Sequence, residues 1–206
     1  EKIDLGRQWR QAIGTRPVWL AASTREGEED LVLAAWRRAA IPHALLVLVP
    51  RHPQRFAEVA NLVEQQGWRL VRRSVGLPND DTEVWLGDSM GEMAAYFSLA
   101  DLAFVGGSLL PLGGQNLIEA AACACPVLVG PHTFNFLQAT EDAIAAGAAL
   151  RVANADELGV SVDALLRNEG RLAAMRAAAN EFARAHQGAA ERMLDLIERW
   201  TGRAGR

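Results

Sequence analysis

The chain has 206 residues, half of them hydrophobic, which is enough to bury one large domain or two small ones. Its formal net charge is −4 at pH 7, so no overall positive field indicates nucleic acid as a partner. We expect no signal peptide, and no apolar run approaches the ~20 residues of a membrane-spanning helix. The sequence as given predicts a soluble chain.

Cysteine and histidine usage gives no indication of a disulfide or a metal. Cys123 and Cys125 are the two cysteines, and the single residue between them is too short a spacing for an ordinary disulfide or a zinc knuckle. We expect both to be small buried hydrophobic side chains in a reducing compartment. His43, His52 and His132 have no metal-ligand spacing with one another or with carboxylates. The sequence therefore predicts no metal site and no cofactor.

The first residues, EKIDLGRQWRQAIGTRP, predict a short polar helix that leads directly into a strand. They include no initiator Met, so we expect a piece of a longer protein, although a processed terminus would have the same appearance. Apolar strand-length runs then alternate with amphipathic stretches. The predicted strands are 17–23, 43–50, 68–74, 82–88, 100–107, 125–131 and 149–152. The predicted helices between them are 28–39, 53–66, 91–98 and 115–123.

From Ala155 onward the pattern is helical, in three segments that cover 155–167, 170–186 and 189–200. The last segment carries apolar residues on one face, which could pack on another domain or on this sheet. Parallel strands need crossover connections, which are usually helices, so the alternation of strands and helices indicates a parallel sheet. We therefore predict an α/β fold, a Rossmann-like parallel sheet with helices on both faces and a helical C-terminal tail, in one domain.

Ligands of open parallel sheets bind at the carboxyl ends of the strands. The segments that follow the predicted strands are rich in glycine and hydroxyl groups and include STREGEED, PRHP, GDSMGEM, GGSLLPLGGQNLIEA and GPHTFNF. Arg25 and Arg51 lie in the first two of them, and guanidinium groups pair well with phosphate oxygens. The pair favours an anion site, although each arginine alone could be an ordinary surface residue.

The segment GDSMGEM offers Gly91, which would free the N–H groups that open the next helix, and Glu92, which would be available to a ribose or base hydroxyl. Turn formation alone would also explain this composition. The pair Gly106 and Gly107 follows a buried strand, where close approach of a ligand or of the next loop explains it equally well. The pair Gly113 and Gly114 would let a ligand contact the following amides, those of Gln115, Asn116 and Leu117.

Glu119 lies three residues after Asn116, on the same face of the predicted helix. Its carboxylate could accept hydrogen bonds from two ribose hydroxyls, as acidic residues do in dinucleotide folds. The alternative is a capping box, with Asn116 as N-cap and Glu119 at N3. No GxSxG, CxxC or P-loop pattern occurs. A dinucleotide fingerprint would place GxGxxG directly after the first strand. Residues 23–27, which occupy that position, read STREG, so the sequence disfavours hydride transfer.

Together, STREGEE, VPRHPQRF, GDSMGEM and GGSLLPLGGQNLIEAAACACPVLVGPHTFNF resemble the 3-deoxy-D-manno-octulosonic acid (Kdo) transferases of Gram-negative bacteria. The resemblance covers nearly the whole chain from about Arg16. It implies a two-domain GT-B glycosyltransferase that moves Kdo from CMP-Kdo onto a lipid A precursor in lipopolysaccharide biosynthesis. Residues 1–206 would be the carboxyl-terminal half, which binds CMP-Kdo and releases CMP.

The resemblance implies CMP contacts from residues that follow the predicted strands: Pro50, Arg51, Met90, Gly91, Glu92, Asn116, Leu117, Ile118 and Glu119, with Arg25 near the phosphate. Additional candidates at the same edge of the sheet are Ser23, Thr24, Gly113, Gly114 and Gln115. We assign no catalytic residue to this chain, because the resemblance places the catalytic Glu base in the acceptor domain.

We expect the acceptor domain and the amino-terminal membrane anchor of that family to be absent from this chain. The resemblance implies a full-length protein at the cytoplasmic face of the bacterial inner membrane, with the lipid A precursor bound through the acceptor domain. We expect the fragment alone to be inactive. The alternatives are another GT-B sugar transferase or nucleotide-sugar epimerase domain, and a non-catalytic nucleotide-binding module.

Overall fold

The computed structural model describes the backbone of residues 1–201 and the side chains of residues 1–186. Its strands form one parallel sheet of seven. They are β1 (Val18–Thr24), β2 (Leu45–Pro50), β3 (Leu70–Arg72), β4 (Val84–Leu86), β5 (Leu102–Val105), β6 (Val127–Val129) and β7 (Ala149–Arg151). Their order across the sheet is β3-β4-β2-β1-β5-β6-β7, so β3 and β7 are the edge strands.

The helices lie between the strands and after β7. They are α1 (Lys2–Ile13), α2 (Glu28–Ala39), α3 (Phe56–Gln65), α4 (Met93–Leu99), α5 (Ile118–Ala122), α6 (Leu137–Ala145), α7 (Ala155–Leu166) and α8 (Glu169–Thr201). Short 3₁₀ turns precede α3 and α6. No helix in the described part of the chain combines the length and apolarity needed to cross a bilayer.

Helices cover both faces of the sheet, and α8 contributes buried residues to the core on each face. Along β1, Leu20 packs into a core with residues of α1, α4, α5 and α8. The neighbouring Trp19 points to the other face, where it packs with residues of α2, α3 and α7. Both side chains are fully buried. Because successive strand residues point to opposite faces, these continuously apolar strands are buried on both sides, and the predicted fold class is confirmed.

Besides shifts of a few residues at the ends of other elements, two predicted helix boundaries and one missing helix need correction. Helix α5 begins at Ile118, three residues later than the predicted start at 115. Helix α8 is continuous across the predicted break between 186 and 189, because a single glycine costs only ~1 kcal/mol in a helix of good helix formers. Helix α6 was not predicted at all, although Gly147 at φ 79 just after it is a typical helix-ending residue. The apolar face predicted in 189–200 lies outside the residues whose side chains are described.

The cysteine prediction holds for one residue and needs correction for the other. Cys125 is buried, whereas Cys123 is only partly buried, and neither forms a disulfide. Burial raises the pKa of both thiols, so the neutral thiol is favoured at each position. Both therefore behave as weakly reactive, largely apolar side chains.

The strand order reverses direction at β1. From β1 the chain proceeds to β2 on one side, and β5 pairs with β1 on the other side. The loops after β1 and after β5 therefore leave the sheet next to each other and diverge. In open parallel sheets such a switch point forms the crevice that receives ligands.

Candidate functional site

A cleft opens at the carboxyl edge of the sheet, beside the switch point. It has two adjoining lobes with volumes of about 320 and 190 Å³. Four residues line both lobes, namely Ser23, Arg51, Met93 and Glu119. Three of these four are among the predicted site residues. The structure thus brings the ends of β1 and β2 together with the starts of α4 and α5.

Other predicted residues line one lobe each. The larger lobe is completed by residues after β2 and β4, including Pro50, Met90, Gly91 and Glu92. The smaller lobe is completed by Gln115 and Asn116 from the loop after β5, and by Phe136, which was not predicted. Nine of the predicted residues therefore meet around one cleft, and whether each contacts a nucleotide remains a prediction.

Arg51 and Glu119 supply the free charges of the cleft. Both side chains are exposed, and neither forms a salt bridge or side-chain hydrogen bond with any residue the structure describes. The backbone amide of Arg51 donates to the carbonyl of Thr24 at 2.9 Å, which fixes the end of β2 against the end of β1. The guanidinium of Arg51 and the carboxylate of Glu119 thus line the same cleft, and neither is paired with another described side chain.

Glu92 differs from the sequence-based expectation. We predicted a carboxylate available to a ligand hydroxyl, but one oxygen accepts a hydrogen bond from Arg73 at 3.1 Å and the other accepts one from the Ser89 hydroxyl. The Ser89 hydroxyl also lies 2.9 Å from the Tyr96 hydroxyl. Glu92 is therefore committed to a network that shapes the larger lobe. No local pattern in the sequence indicated Arg73 as the partner, because it lies 19 residues from Glu92.

Asp88 stabilises the loop after β4 through buried hydrogen bonds. Its side chain is 3% exposed and accepts hydrogen bonds from the Arg72 guanidinium and from the Ser74 amide, each at 2.8 Å, and also from the Ser74 hydroxyl. Burial by itself would raise the pKa of this carboxyl group. The hydrogen bonds from Ser74 and Arg72 outweigh that effect and lower the pKa below its ordinary value. The charged form of Asp88 therefore stabilises the segment that carries Ser89 and Met90.

The end of β1 carries a bulge that separates two neighbouring hydroxyl residues. The register with β2 shifts between Ala22 and Thr24, and Ser23 adopts φ 56, a conformation rare outside glycine. Ser23 faces the cleft. Thr24 is buried and donates to Glu29 at 2.9 Å. Backbone strain of this kind is concentrated at functional sites.

Residues 133–135 fill the space beside the pair Gly113 and Gly114. A Cβ on Gly113 would overlap the side chains of Asn135 and Phe134, and one on Gly114 would lie 3.3 Å from the Cα of Thr133. The amide of Asn135 also donates to the carbonyl of Gly113 at 3.0 Å. Close packing against the segment GPHTFNF thus explains this pair, and ligand contact by the two glycines stays a prediction.

The remaining predicted residues lie beside the cleft and do not line it. Leu117 is 1% exposed, and Ile118 packs against the apolar core. Arg25 is partly exposed in the loop after β1. The capping-box alternative is wrong, because the Asn116 side chain accepts from the Ile118 amide, and Glu119 makes no capping contact. The physical reason is that helix α5 begins too late for Glu119 to be its third residue.

Within the described residues, no group of three or more His, Cys, Asp or Glu side chains could hold a metal ion. Glu28 is a further residue of interest, and no sequence pattern singled it out. It is the first residue of α2, is fully buried and contacts both loops at the switch point. The cleft thus offers one guanidinium and hydroxyl groups that can donate hydrogen bonds, and one unpaired carboxylate that can accept them, which suits a phosphorylated, hydroxylated ligand.

No protein-family model matches the chain. The 3-deoxy-D-manno-octulosonic acid transferase of Bordetella pertussis is 48% identical over 98% of this chain and 48% of its own length. The chain thus spans about half the length of the curated relatives it matches. The C-terminal domain of a group 1 glycosyl transferase, LpcC from Francisella tularensis, has a TM-score of 0.60 at 12% identity, which shows a shared fold alone.

The crystal structure of the C-terminal CMP-Kdo binding domain of WaaA from Acinetobacter baumannii is a nearer match. Its TM-score is 0.83 at 32% identity, and the alignment covers 88% of this chain and 97% of that one. The correspondence extends over nearly the whole of that domain. The chain belongs to the Kdo transferase family, and it matches that family's C-terminal domain.

Proposed function

We propose that residues 1–206 form the donor-binding domain of a Kdo transferase and bind CMP-Kdo in the cleft at the switch point. The observation that carries this proposal is the position of Arg51 and Glu119, which line both lobes with exposed and unpaired charges. The similarity to the CMP-Kdo binding domain of WaaA supports the choice of ligand.

The proposed ligand fits the arrangement of the two lobes. The larger lobe receives the cytidine beside Pro50 and the segment from Met90 to Glu92, and Glu119 at the junction accepts hydrogen bonds from ribose hydroxyls. Arg51, also at the junction, pairs with the phosphate. The sugar then extends toward the smaller lobe, whose polar groups come from Gln115 and Asn116.

In the proposed reaction, an acceptor hydroxyl attacks the anomeric carbon of Kdo, and the bond from that carbon to the phosphate oxygen breaks. CMP departs with the bonding electrons, so negative charge develops on its phosphate. Arg51 at the junction and Arg25 in the neighbouring loop stabilise that charge, and preorganised positive groups are effective in this role. The catalytic Glu base and the lipid A precursor belong to the other half, at the cytoplasmic face of the inner membrane.

Calorimetric titration of the chain with CMP, UMP and cytidine tests the proposal. We expect CMP to bind more tightly than cytidine, because only CMP carries the phosphate, and more tightly than UMP. Tighter binding of UMP than of CMP would favour a different sugar transferase or an epimerase domain. Absence of saturable binding by all three nucleotides would overturn the proposal.

A further inference from the structure

Glu28 holds a buried carboxylate at the switch point without a cationic partner. Its side chain is 0% exposed, and its hydrogen-bond partners among the described residues are all backbone amides. One carboxylate oxygen accepts from the amides of Ser108 and Leu109, each at 3.0 Å. The other accepts from the amides of Gly107 at 2.5 Å and of Arg25 at 3.0 Å. Four backbone donors, three of them in the loop after β5, thus converge on one side chain.

A buried carboxylate is costly unless hydrogen bonds replace its hydration. At Glu28 the four amides supply that replacement, and the position at the start of α2 adds the favourable end of the helix dipole. An apolar residue here would leave several buried N–H groups unsatisfied, at a cost for each. The loop conformation and the charge of Glu28 therefore depend on each other.

The contacts of Glu28 continue to the wall of the smaller lobe. The carbonyl of Gly107 accepts from the amide of Gly114 at 2.7 Å. The next two residues, Gln115 and Asn116, line that lobe. On the other side, Arg25 lies two residues after Ser23, which lines both lobes. One side chain thus fixes the loops on both sides of the crevice.

A second anchor holds the same loop from the β6 side. The hydroxyl of Ser108 accepts from the amide of Gly130 at 2.8 Å, and the carbonyl of Ser108 accepts from the amide of His132 at 3.0 Å. Ser108 is itself fully buried. The turn after β5 is therefore fixed between α2 and the loop after β6, and Glu28 supplies its only charged contact among the described residues.

We propose that Glu28 is a positioning residue for the phosphate and sugar end of the donor. Its carboxylate holds the backbone around Gly107 and Arg25 so that the smaller lobe is formed before the ligand arrives. None of the four residues that donate these amides lines either lobe, but the chain that Glu28 holds through Gly107 and Gly114 continues into Gln115 and Asn116, which line the smaller lobe and not the larger one. This inference rests on the proposed function, because it assumes that the phosphate lies at Arg51 and the sugar beyond it.

The test compares Glu28→Gln with a structural control, Asp101→Asn. Asp101 also accepts a backbone amide, that of Val18 at 2.9 Å, but it lies at the opposite edge of the sheet. We expect Glu28→Gln to weaken CMP binding about tenfold or more, the range for a hydrogen bond to a charged group, and to leave cytidine affinity within about twofold. Asp101→Asn should lower the melting temperature and leave the ratio of CMP to cytidine affinity unchanged.

Hydrogen exchange of the unsubstituted chain provides a measurement that does not depend on a variant folding. The backbone amides of Gly107, Ser108 and Leu109 should be protected from exchange without ligand. In a separate titration, Glu28→Asp, which keeps a carboxylate, should retain part of the CMP affinity that Glu28→Gln loses. Exchange of these amides at the rate of an open loop would overturn the proposal. So would an unchanged CMP-to-cytidine ratio in a folded Glu28→Gln chain, if the unsubstituted chain binds CMP. Failure of the unsubstituted chain to bind CMP would instead contradict the proposed function.

Discussion

The carbonyl oxygen of Ser23 lies 2.6 Å from the position that a Cβ on Gly106 would occupy. The Cα of Thr24 lies 2.7 Å from the same position. Both atoms belong to the backbone at the bulged end of β1, so neither can move aside as the tip of a flexible side chain would. The ends of β1 and β5 therefore pack backbone against backbone at the switch point, directly beside the cleft.

We predict that Gly106→Ala destabilises the protein by about 1–3 kcal/mol, the usual cost of inserting a methyl group where there is no room. Gly76→Ala is the matched control, because a Cβ there would meet no atom within 4 Å. Its effect should stay within about 0.5 kcal/mol. Urea unfolding of both variants measures the difference, and equal midpoints would show that the backbone contact at Gly106 relaxes easily.

The elements near β1 and β2 could be predicted because their sequence patterns are strong. The helix predicted over 28–39 matches α2 residue for residue. The meeting of Arg51, Gly91 and Glu119 also followed from the sequence alone, because carboxyl ends of parallel strands share one edge of the sheet. These conclusions need only local periodicity and the direction of the strands.

The contacts that shape the cleft could not be predicted in the same way. Glu28 and Gly107 are 79 residues apart, and Arg73 and Glu92 are 19 apart. No local pattern distinguishes these residues from solvated charges or ordinary turn glycines. Their roles depend on loop conformation at the switch point, which is determined by packing between segments that are distant in the chain.

We predict that Glu119→Gln weakens binding of CMP and cytidine to the same extent, because both ligands carry the ribose that Glu119 contacts in our proposal. The loss should be smaller for dCMP, which already lacks one hydroxyl. Calorimetric titration with the three ligands measures these ratios. A loss confined to CMP would place Glu119 near the phosphate and contradict the ribose assignment.

The stability of the same variant provides an independent check. Glu119 is exposed, and its side chain forms no salt bridge or hydrogen bond with a described residue. Glu119→Gln should therefore change the free energy of unfolding by less than about 0.5 kcal/mol. Asn116→Ala is the comparison, because it removes the hydrogen bond to the Ile118 amide and should be the more destabilising of the two. A larger loss of stability in Glu119→Gln would indicate a structural role for the carboxylate.

Asp88 should make stability depend on pH in the acid range. Its pKa is lowered in the folded protein by the hydrogen bonds from Ser74 and Arg72, which outweigh the effect of burial. The stabilisation is therefore fully present above the unfolded-state value, about pH 3.9, and is lost as pH falls through the lower folded-state value. We predict that Asp88→Asn is clearly destabilising at neutral pH and that the difference from the unsubstituted protein shrinks at about pH 3 and below.

Asp80→Asn is the control for this measurement, because Asp80 is an exposed acid in the connection between β3 and β4, which also carries Ser74, a hydrogen-bond partner of Asp88. Its side chain accepts no hydrogen bond from the described residues, so its substitution should have little effect at neutral pH. Urea unfolding at several pH values gives both comparisons. A constant difference between Asp88→Asn and the unsubstituted protein across the acid range would contradict the assignment.

We predict that Arg51→Ala weakens CMP binding by about 1.5–3 kcal/mol, the range for a hydrogen bond to a charged group, and leaves cytidine binding nearly unchanged. The reason is that the guanidinium of Arg51 is exposed at the junction of the lobes and pairs with no described residue, so its charge is available to the phosphate. Arg171→Ala, which removes an exposed arginine on α8, controls for the change in net charge. The loss in Arg51→Ala should also diminish at high salt, because exposed charge pairs are screened. Equal losses for CMP and cytidine would show that Arg51 shapes the cleft without contacting the phosphate.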